Sequence, residues 1–150
     1  MPGRDVSAPN GPLMAGWIEA SGLGAGVRAG MSTRQGGVSQ HPFSSLNLRP
    51  PGLPGGPADD PAFVHENHRR VAAALGAWPV WLEQVHGSEC VQLNEPAQPD
   101  GEEVTALRVA DASFTTQTGV ACAVLVADCL PVLFSAGRGR PVACLLYTSD

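Results

Sequence analysis

The sequence lacks several features that would assign it quickly to a class of protein. None of its nine basic residues is lysine, and the arginines are scattered, so they form no basic stripe of the kind that binds nucleic acid. No apolar run reaches the roughly 18 residues that a membrane-spanning helix needs. The first 16 residues also lack the apolar core of a signal peptide. We therefore expect no nucleic-acid partner, no membrane partner and a cytoplasmic location.

Cysteine is sparse, and its spacing forms no recognisable framework. The four cysteines include no CxxC pair, so in the cytoplasm we expect reduced thiols that mostly fill the core. The 150 residues are 43% hydrophobic and 15% charged, with a net charge of −5, which is typical of one globular domain. Abundant glycine and proline predict many turns and short elements.

The order of the elements predicts an α+β domain around a mixed sheet. We divide the chain into a loose leader (1–13), one domain (14–143) and a tail (144–150). The clearest helix has Asp59 or Asp60 as its cap, Pro61 in its first turn and Gly76 as its stop. The expected strands cover residues 80–85, 90–93, 130–134 and 141–147, the last two as a hairpin, and residues 119–127 as a strand buried on both faces.

Two residues with metal-ligating side chains lie at strand interruptions. His86 follows a predicted strand and precedes a glycine, so it can reach into a cleft, although a hydrogen-bonded histidine without a ligand explains the local pattern as well. Cys129 follows Asp128 within an apolar run. Burying that acid costs free energy unless a partner compensates it, and a neighbouring thiolate also needs a cation. Zinc would serve both, whereas the alternative makes Cys129 a core residue and Asp128 a turn former.

His86 and Cys129 are 43 positions apart, so only the tertiary structure can build such a site. Catalytic zinc usually has three protein ligands, and the sequence offers just these two good candidates. His65 and His68 share a helix face, but charged neighbours favour solvated side chains. The loop 33–39 has two glycines, two hydroxyls and Arg34. Backbone amides freed by glycine, together with a guanidinium, predict a weak anion cradle, and the P-loop pattern is absent.

Together these segments resemble the YfiH family, also called laccase-domain or polyphenol-oxidase-like proteins. QVHG (84–87) and ADCLP (127–131) are specific as a pair. Corroborating matches are TRQGGVS (33–39), SLNL (45–48), Asn67 and ADA (110–112), all in the family's order. The resemblance implies a three-layer α/β domain, a single zinc, phosphorolysis of adenosine, inosine, guanosine and methylthioadenosine, and adenosine deamination as a side activity.

The resemblance also implies roles for particular residues. His86 and Cys129 would be zinc ligands and catalytic, with Asp128 orienting a ligand. Nucleoside and phosphate would contact a second set of residues, namely Arg34, Gly36, Gly37, Ser39 and Asn47. The third zinc ligand would be a histidine of an HAGWRG motif near position 146, where this chain has Leu146. We expect residues 144–150 to be non-native, the domain to be incomplete and the fragment to be inactive as it stands.

Other functions remain open. A phenol oxidase fits the family's older name, but a multicopper cluster needs more histidines than these. A hydrolase of peptidoglycan precursors would use Cys129 as the nucleophile with a histidine base. Phosphate-dependent release of a free base separates these alternatives from a phosphorylase. A fragment with no enzyme activity is the remaining alternative.

Overall fold

The computed structural model describes residues 13–95, 107–137 and 141–147, which form one α-helix and ten short strands. The elements are, in chain order, β1 (Ile18–Glu19), β2 (Gly30–Met31), α1 (Pro61–Leu75), β3 (Trp78–Val80), β4 (Leu82–Glu83), β5 (Cys90–Gln92), β6 (Arg108–Val109), β7 (Ala112–Thr115), β8 (Val120–Cys122), β9 (Leu130–Ser135) and β10 (Val142–Tyr147). No helix of these ranges is long and apolar enough to cross a membrane.

The helix α1 begins and ends where its capping residues predict. The carboxylate of Asp60 accepts the amide hydrogen of Ala62 at 2.8 Å, and Pro61 occupies the first turn. Gly76 adopts a left-handed φ of 70° and returns its N–H to the carbonyl of Ala72. Val64 and Val71 are buried on the inner face, and the helix packs against β3. The helix predicted from the sequence is confirmed.

The strands form a mixed sheet and three smaller pairs. The main sheet has the order β5-β7-β10-β9, in which β5 and β7 are parallel while β10 runs antiparallel to both of its neighbours. Parallel pairs join β3 to β8 and β4 to β6, and β1 pairs antiparallel with β2. Leu82 and Leu93 are buried in the core between these elements. The predicted α+β class with a mixed sheet is confirmed, as is the β9–β10 hairpin.

The long buried strand expected over 119–127 is wrong. Pairing stops at Cys122, and residues 123–126 continue without a strand partner. The physical reason is a distant side chain. The amide group of Gln84 bonds both the N–H and the carbonyl of Leu125, so at this residue it replaces the pairing that a neighbouring strand would supply. The strand expected over 80–85 is also divided, into β3 and β4 on either side of Trp81.

Two further expectations are corrected by burial. His65 is exposed as expected, but His68 is half-buried: it stacks on Trp81 with ring centroids 5.0 Å apart, and its Nε2 lies 2.9 Å from the carbonyl of Leu48. Its neighbours on the helix surface are charged, yet its own position faces the core. Leu13, the last residue of the expected leader, is buried and bonded to Glu19. The rest of that leader lies outside the described residues.

The expected non-native tail contributes four described residues to the sheet. Cys144–Tyr147 continue β10, where Cys144 lies opposite Ser113 of β7 and Leu133 of β9. Residues 148–150 lie outside the described ranges. These residues therefore have a structural role in the central hairpin, and whether they are native stays a prediction.

Candidate functional site

The His86 turn is held by one buried carboxylate. The chain leaves β4 at Glu83 and turns at His86, whose φ of 58° is left-handed, a conformation that non-glycine residues seldom adopt. The side chain of Asp111 accepts the N–H groups of three successive residues, Val85 at 3.2 Å, His86 at 2.9 Å and Gly87 at 2.8 Å. The exposed His86 thus sits on a turn with a defined backbone.

Asp111 was given no role from the sequence, although it is the middle residue of the ADA match (110–112). It follows β6 and precedes β7, and only 3% of its surface is exposed. The sequence contains one usable signal, an acid between two alanines. A buried carboxylate needs several hydrogen-bond donors, but the sequence does not indicate that these are the amides of a turn 25 residues away.

A cleft of about 130 Å³ opens beside this turn. Its lining residues are Gly87, Ser88, Glu89, Asp111, Ala112, Leu145 and Leu146. The N–H of Leu146 donates to the carbonyl of Asp111 at 3.0 Å, so the end of β10 is fixed against the His86 turn. Three segments that are far apart in the chain therefore form one concave surface.

The register of the main sheet brings Cys129 to the same end of the sheet. β9 begins at Leu130, which pairs with Tyr147 at the end of β10, and Leu145 pairs with Ala112 at the start of β7. Cys129 is half-buried and immediately precedes β9. The cleft lining contains neither Cys129 nor a residue of the loop 33–39. That His86, Cys129 and Arg34 share one cleft stays a prediction.

Of the two interpretations of Asp128, a buried acid compensated by a cation or a turn former, the structure favours the turn former. The apolar run is no longer a strand at this point, and Asp128 lies exposed in a bend. An exposed carboxylate is hydrated, so it carries no burial cost that a metal or cation would have to offset. Its role beside a metal ligand therefore rests on the resemblance alone.

The loop 33–39 is organised by Asn67 of α1, which is fully buried. Asn67 Oδ1 accepts the N–H of Val38 at 2.9 Å, and its Nδ2 donates to Ser39 Oγ at 2.8 Å and to the carbonyl of Asn47 at 2.9 Å. Burial acts to raise the pKa of Asp59, but hydrogen bonds from Ser39 and Asn47 lower it below its usual range. Ser39 and Asn47 thus belong to one polar network under the loop.

Four amides of this loop are not free, as an anion cradle would require. The N–H groups of Gln35, Gly37, Val38 and Ser39 all donate to protein oxygens. The Arg34 side chain is exposed and donates through Nε to the carbonyl of Ser44 at 3.0 Å. These four amides therefore do not contribute to the predicted cradle, whereas the roles of Arg34 and its neighbours in substrate binding stay predictions.

Packing requires glycine at position 37, and the backbone conformation favours glycine at position 36. A Cβ at Gly37 would lie 2.1 Å from the carbonyl oxygen of Ser45 and 2.6 Å from Asn67 Oδ1, which no side chain can occupy. Gly36 has a φ of 96°, and its carbonyl accepts a hydrogen bond from Arg70. Their identity is explained by the fold, without a ligand.

The described residues supply an incomplete donor set for a metal. In the ranges 13–95, 107–137 and 141–147, no three His, Cys, Asp or Glu side chains come together in a way that could hold a metal ion. Cys122 and Cys144 fit poorly as ligands. Burial raises the pKa of the Cys144 thiol to about 12 and also raises the pKa of Cys122. His86 and Cys129 remain the candidate pair.

The fold and this end of the sheet define a mixed α+β domain with a candidate site built by tertiary structure. A family model described as multi-copper polyphenol oxidoreductase laccase matches residues 28–145. The chain belongs to this family, which is the laccase-domain family that the sequence motifs resemble.

Individual relatives agree with this assignment. The chain is 48% identical over 123 residues to the purine nucleoside phosphorylase YfiH of Shigella flexneri, covering 81% of this chain and 46% of the relative. It is 46% identical over 119 residues to a purine nucleoside phosphorylase of Pseudomonas aeruginosa, covering 79% and 43%. A solved Neisseria meningitidis protein superposes with a TM-score of 0.68 at 34% identity, covering 87% and 49%. The chain thus spans about half the length of these relatives.

Proposed function

We propose that this chain supplies the first half of a purine nucleoside phosphorylase. The observation that carries the proposal is the meeting of QVHG, ADA and the end of β10 in one cleft, combined with relatives that are named purine nucleoside phosphorylases. Adenosine, inosine, guanosine and methylthioadenosine are the proposed nucleosides, with phosphate as the co-substrate. Deamination of adenosine is proposed as a side activity, and the cytoplasm as the location.

We also propose that His86 and Cys129 are two of the ligands of a zinc ion. Imidazole nitrogen and thiolate sulfur are ordinary zinc ligands, and a catalytic site needs a third. By resemblance, the third is a histidine near position 146, and Leu146 lines the cleft next to Gly87. The donor chemistry fits zinc, and the set is incomplete without that histidine. Zinc, when bound, supplies Lewis-acid polarisation and lowers the pKa of water.

The protein's own residues have proposed tasks around the nucleoside. In phosphorolysis, phosphate attacks the anomeric carbon of the ribose while the bond to the purine breaks. The exposed Arg34 guanidinium is suited to orient the phosphate by bidentate hydrogen bonds. The Asn67 network keeps the loop that carries Arg34 in a fixed position. Proximity and orientation supply much of the rate of such a bimolecular step.

The test is an assay for free base with and without phosphate. Because the chain spans half of its relatives, the enzyme tested is the chain joined at residue 143 to the remaining half of the Shigella flexneri relative, and the 150-residue chain is assayed beside it. Phosphate-dependent release of hypoxanthine from inosine by the chimera, and none from the chain alone, is the expected result.

The alternative activities give different products in the same experiment. Base release that needs no phosphate identifies a hydrolase. Oxygen consumption with a phenol identifies an oxidase, the activity in the family model's description. Ammonia from adenosine reports the proposed deaminase side activity. A chimera that shows none of the phosphate-dependent release contradicts the proposal.

The zinc proposal is tested by completing the ligand set in the chain itself. Leu146→His should raise zinc affinity in a competition titration against a chelator. Val142→His lies on the same strand, β10, but outside the cleft, and serves as the matched control. Equal zinc affinity in the two variants contradicts a site at this end of the sheet.

A further inference from the structure

We propose that Asp111 is a positioning residue that fixes the backbone of the His86 turn. The proposal rests on the proposed role of His86 in metal or substrate binding. It adds a residue that supports His86 through hydrogen bonds to the backbone of its turn. Asp111 itself touches no reacting atom in this assignment. Its function is to fix the backbone position from which the side chain of His86 projects.

The hydrogen bonds of Asp111 are arranged around His86. Oδ1 accepts the His86 N–H at 2.9 Å, and Oδ2 accepts the flanking N–H groups of Val85 and Gly87 at 3.2 and 2.8 Å. Both oxygens are therefore directed to the same turn. Successive amides that converge on one anion form a concave site of the kind called a nest, which here is filled by a side chain of the protein.

The conformation of His86 explains why such a partner is needed. A φ of 58° places the side chain of an L-residue close to its own backbone, so the left-handed region is unfavourable for residues other than glycine. Glycine adopts this conformation more readily than histidine does, yet the glycine of this turn is the next residue, Gly87. Hydrogen bonds from three amides to one charged group select this backbone, and charge-assisted bonds are stronger than neutral ones.

Asp111 can hold the His86 turn in place because its own main chain is held by hydrogen bonds. Its N–H and that of Ala112 donate to the carbonyl of Glu89 at 3.2 Å, and its carbonyl accepts the N–H of Leu146 at 3.0 Å. These main-chain bonds persist when the side chain is changed. Substitution at Asp111 should therefore release the turn and leave the sheet paired.

The test compares Asp111→Asn with Thr115→Val in the 150-residue chain. Thr115 is equally buried on β7, and its hydroxyl donates to the carbonyl of Leu93, away from the turn. The first measurement is amide hydrogen exchange at residues 85–87 and the N–H to Hα coupling of His86, which reports φ. In Asp111→Asn at least one N–H loses its acceptor, so we expect exchange to accelerate about tenfold or more, as for a loss of about 1.4 kcal/mol, and the coupling to change.

The second measurement is affinity for zinc alone, in the two variants and in the His86→Ala background. Loss of a group that orients a ligand typically lowers metal affinity about 10- to 100-fold. Asp111→Asn should show this loss, Thr115→Val should not, and the loss should vanish when His86 is already alanine. An equal loss in the His86→Ala background, or unchanged exchange and coupling, overturns the proposal.

The two measurements separate this proposal from the proposed function. A chimera without phosphate-dependent base release contradicts the function, while exchange and coupling at the turn still decide the role of Asp111. Should Asp111→Asn not fold, the wild-type chain decides. Slow exchange at Val85, His86 and Gly87 with a left-handed His86 coupling supports the role, and fast exchange there overturns it.

Discussion

Gln84 and Leu125 are joined by a reciprocal pair of hydrogen bonds across 41 residues of sequence. Gln84 Nε2 donates to the carbonyl of Leu125 at 2.9 Å, and the N–H of Leu125 donates to Gln84 Oε1 at 2.7 Å. Gln84 lies two positions before His86, and Leu125 lies four positions before Cys129. This pair of hydrogen bonds therefore links the two segments that carry the candidate metal ligands.

Gln84→Leu should lower the free energy of unfolding by about 1–3 kcal/mol, because it leaves a part-buried N–H and carbonyl of Leu125 without partners. Urea unfolding measures the change. Gln40→Leu is the control, since the Gln40 side chain is exposed and donates to the nearby carbonyl of Val38. Equal stability of the two variants would show that the link contributes little.

Asn67→Asp tests the network under the loop 33–39. The variant keeps an acceptor for the N–H of Val38 but replaces the amide donor that Ser39 and Asn47 now accept from. It also places a charge at a fully buried position. We expect a loss of at least about 2 kcal/mol of stability and faster proteolysis within residues 33–47. Retained stability with an intact loop would contradict the role of Asn67.

Gly37→Ala should be strongly destabilising, because its Cβ would lie 2.1 Å from the carbonyl oxygen of Ser45. We expect a cost above about 2 kcal/mol, since backbone has to move to make room. At Gly56 a Cβ would meet only the Arg49 guanidinium, at 3.5–3.7 Å, which is ordinary van der Waals contact, so Gly56→Ala is the matched control and should be nearly neutral. Thermal unfolding compares the two variants, and similar midpoints would contradict the packing account.

The sequence predicted those features that local chemistry decides. The helix 61–75 carries its own cap and stop, Asp60 and Gly76, and the hairpin of β9 and β10 joins two adjacent apolar runs. Features that depend on distant side chains could not be predicted. The strand at 119–127 ends early because Gln84 takes its backbone bonds, and the acid that matters at the His86 turn is Asp111, whose three donors are remote in sequence. Composition likewise suggested free amides in the loop 33–39, but Asn67 and Ser45 already accept those of Gly37, Val38 and Ser39.

The free energy of unfolding should fall in mild acid because His68 becomes protonated. Burial is the main cause that lowers its pKa from 6.5; the charge of His65 adds to it and the hydrogen bond to Leu48 opposes it. Between the folded and unfolded pKa values the unfolded chain binds more protons, so stability is fully present above about pH 6.5 and is lost as the pH falls. His68→Phe, which keeps an aromatic ring against Trp81, should flatten this dependence in urea unfolding at pH 5 to 7.5. The exposed His41→Gln should not, and an unchanged slope in His68→Phe would contradict the assignment.

Alkylation of the cysteines tests whether Cys129 binds zinc. Cys90 is exposed, Cys129 is half-buried, and Cys144 is buried with a pKa raised to about 12. Since the thiolate is the reacting form, iodoacetamide at pH 8 should modify Cys90 readily and Cys144 only after unfolding, as measured by peptide mass spectrometry.

Added zinc should slow the modification of Cys129 and leave Cys90 unchanged, because a metal-bound thiolate is a poorer nucleophile and is sterically covered. In His86→Ala this protection of Cys129 should disappear, since one of the proposed ligands is gone. Zinc protection that persists in His86→Ala, or that extends equally to Cys90, would mean that the metal binds without the proposed pair.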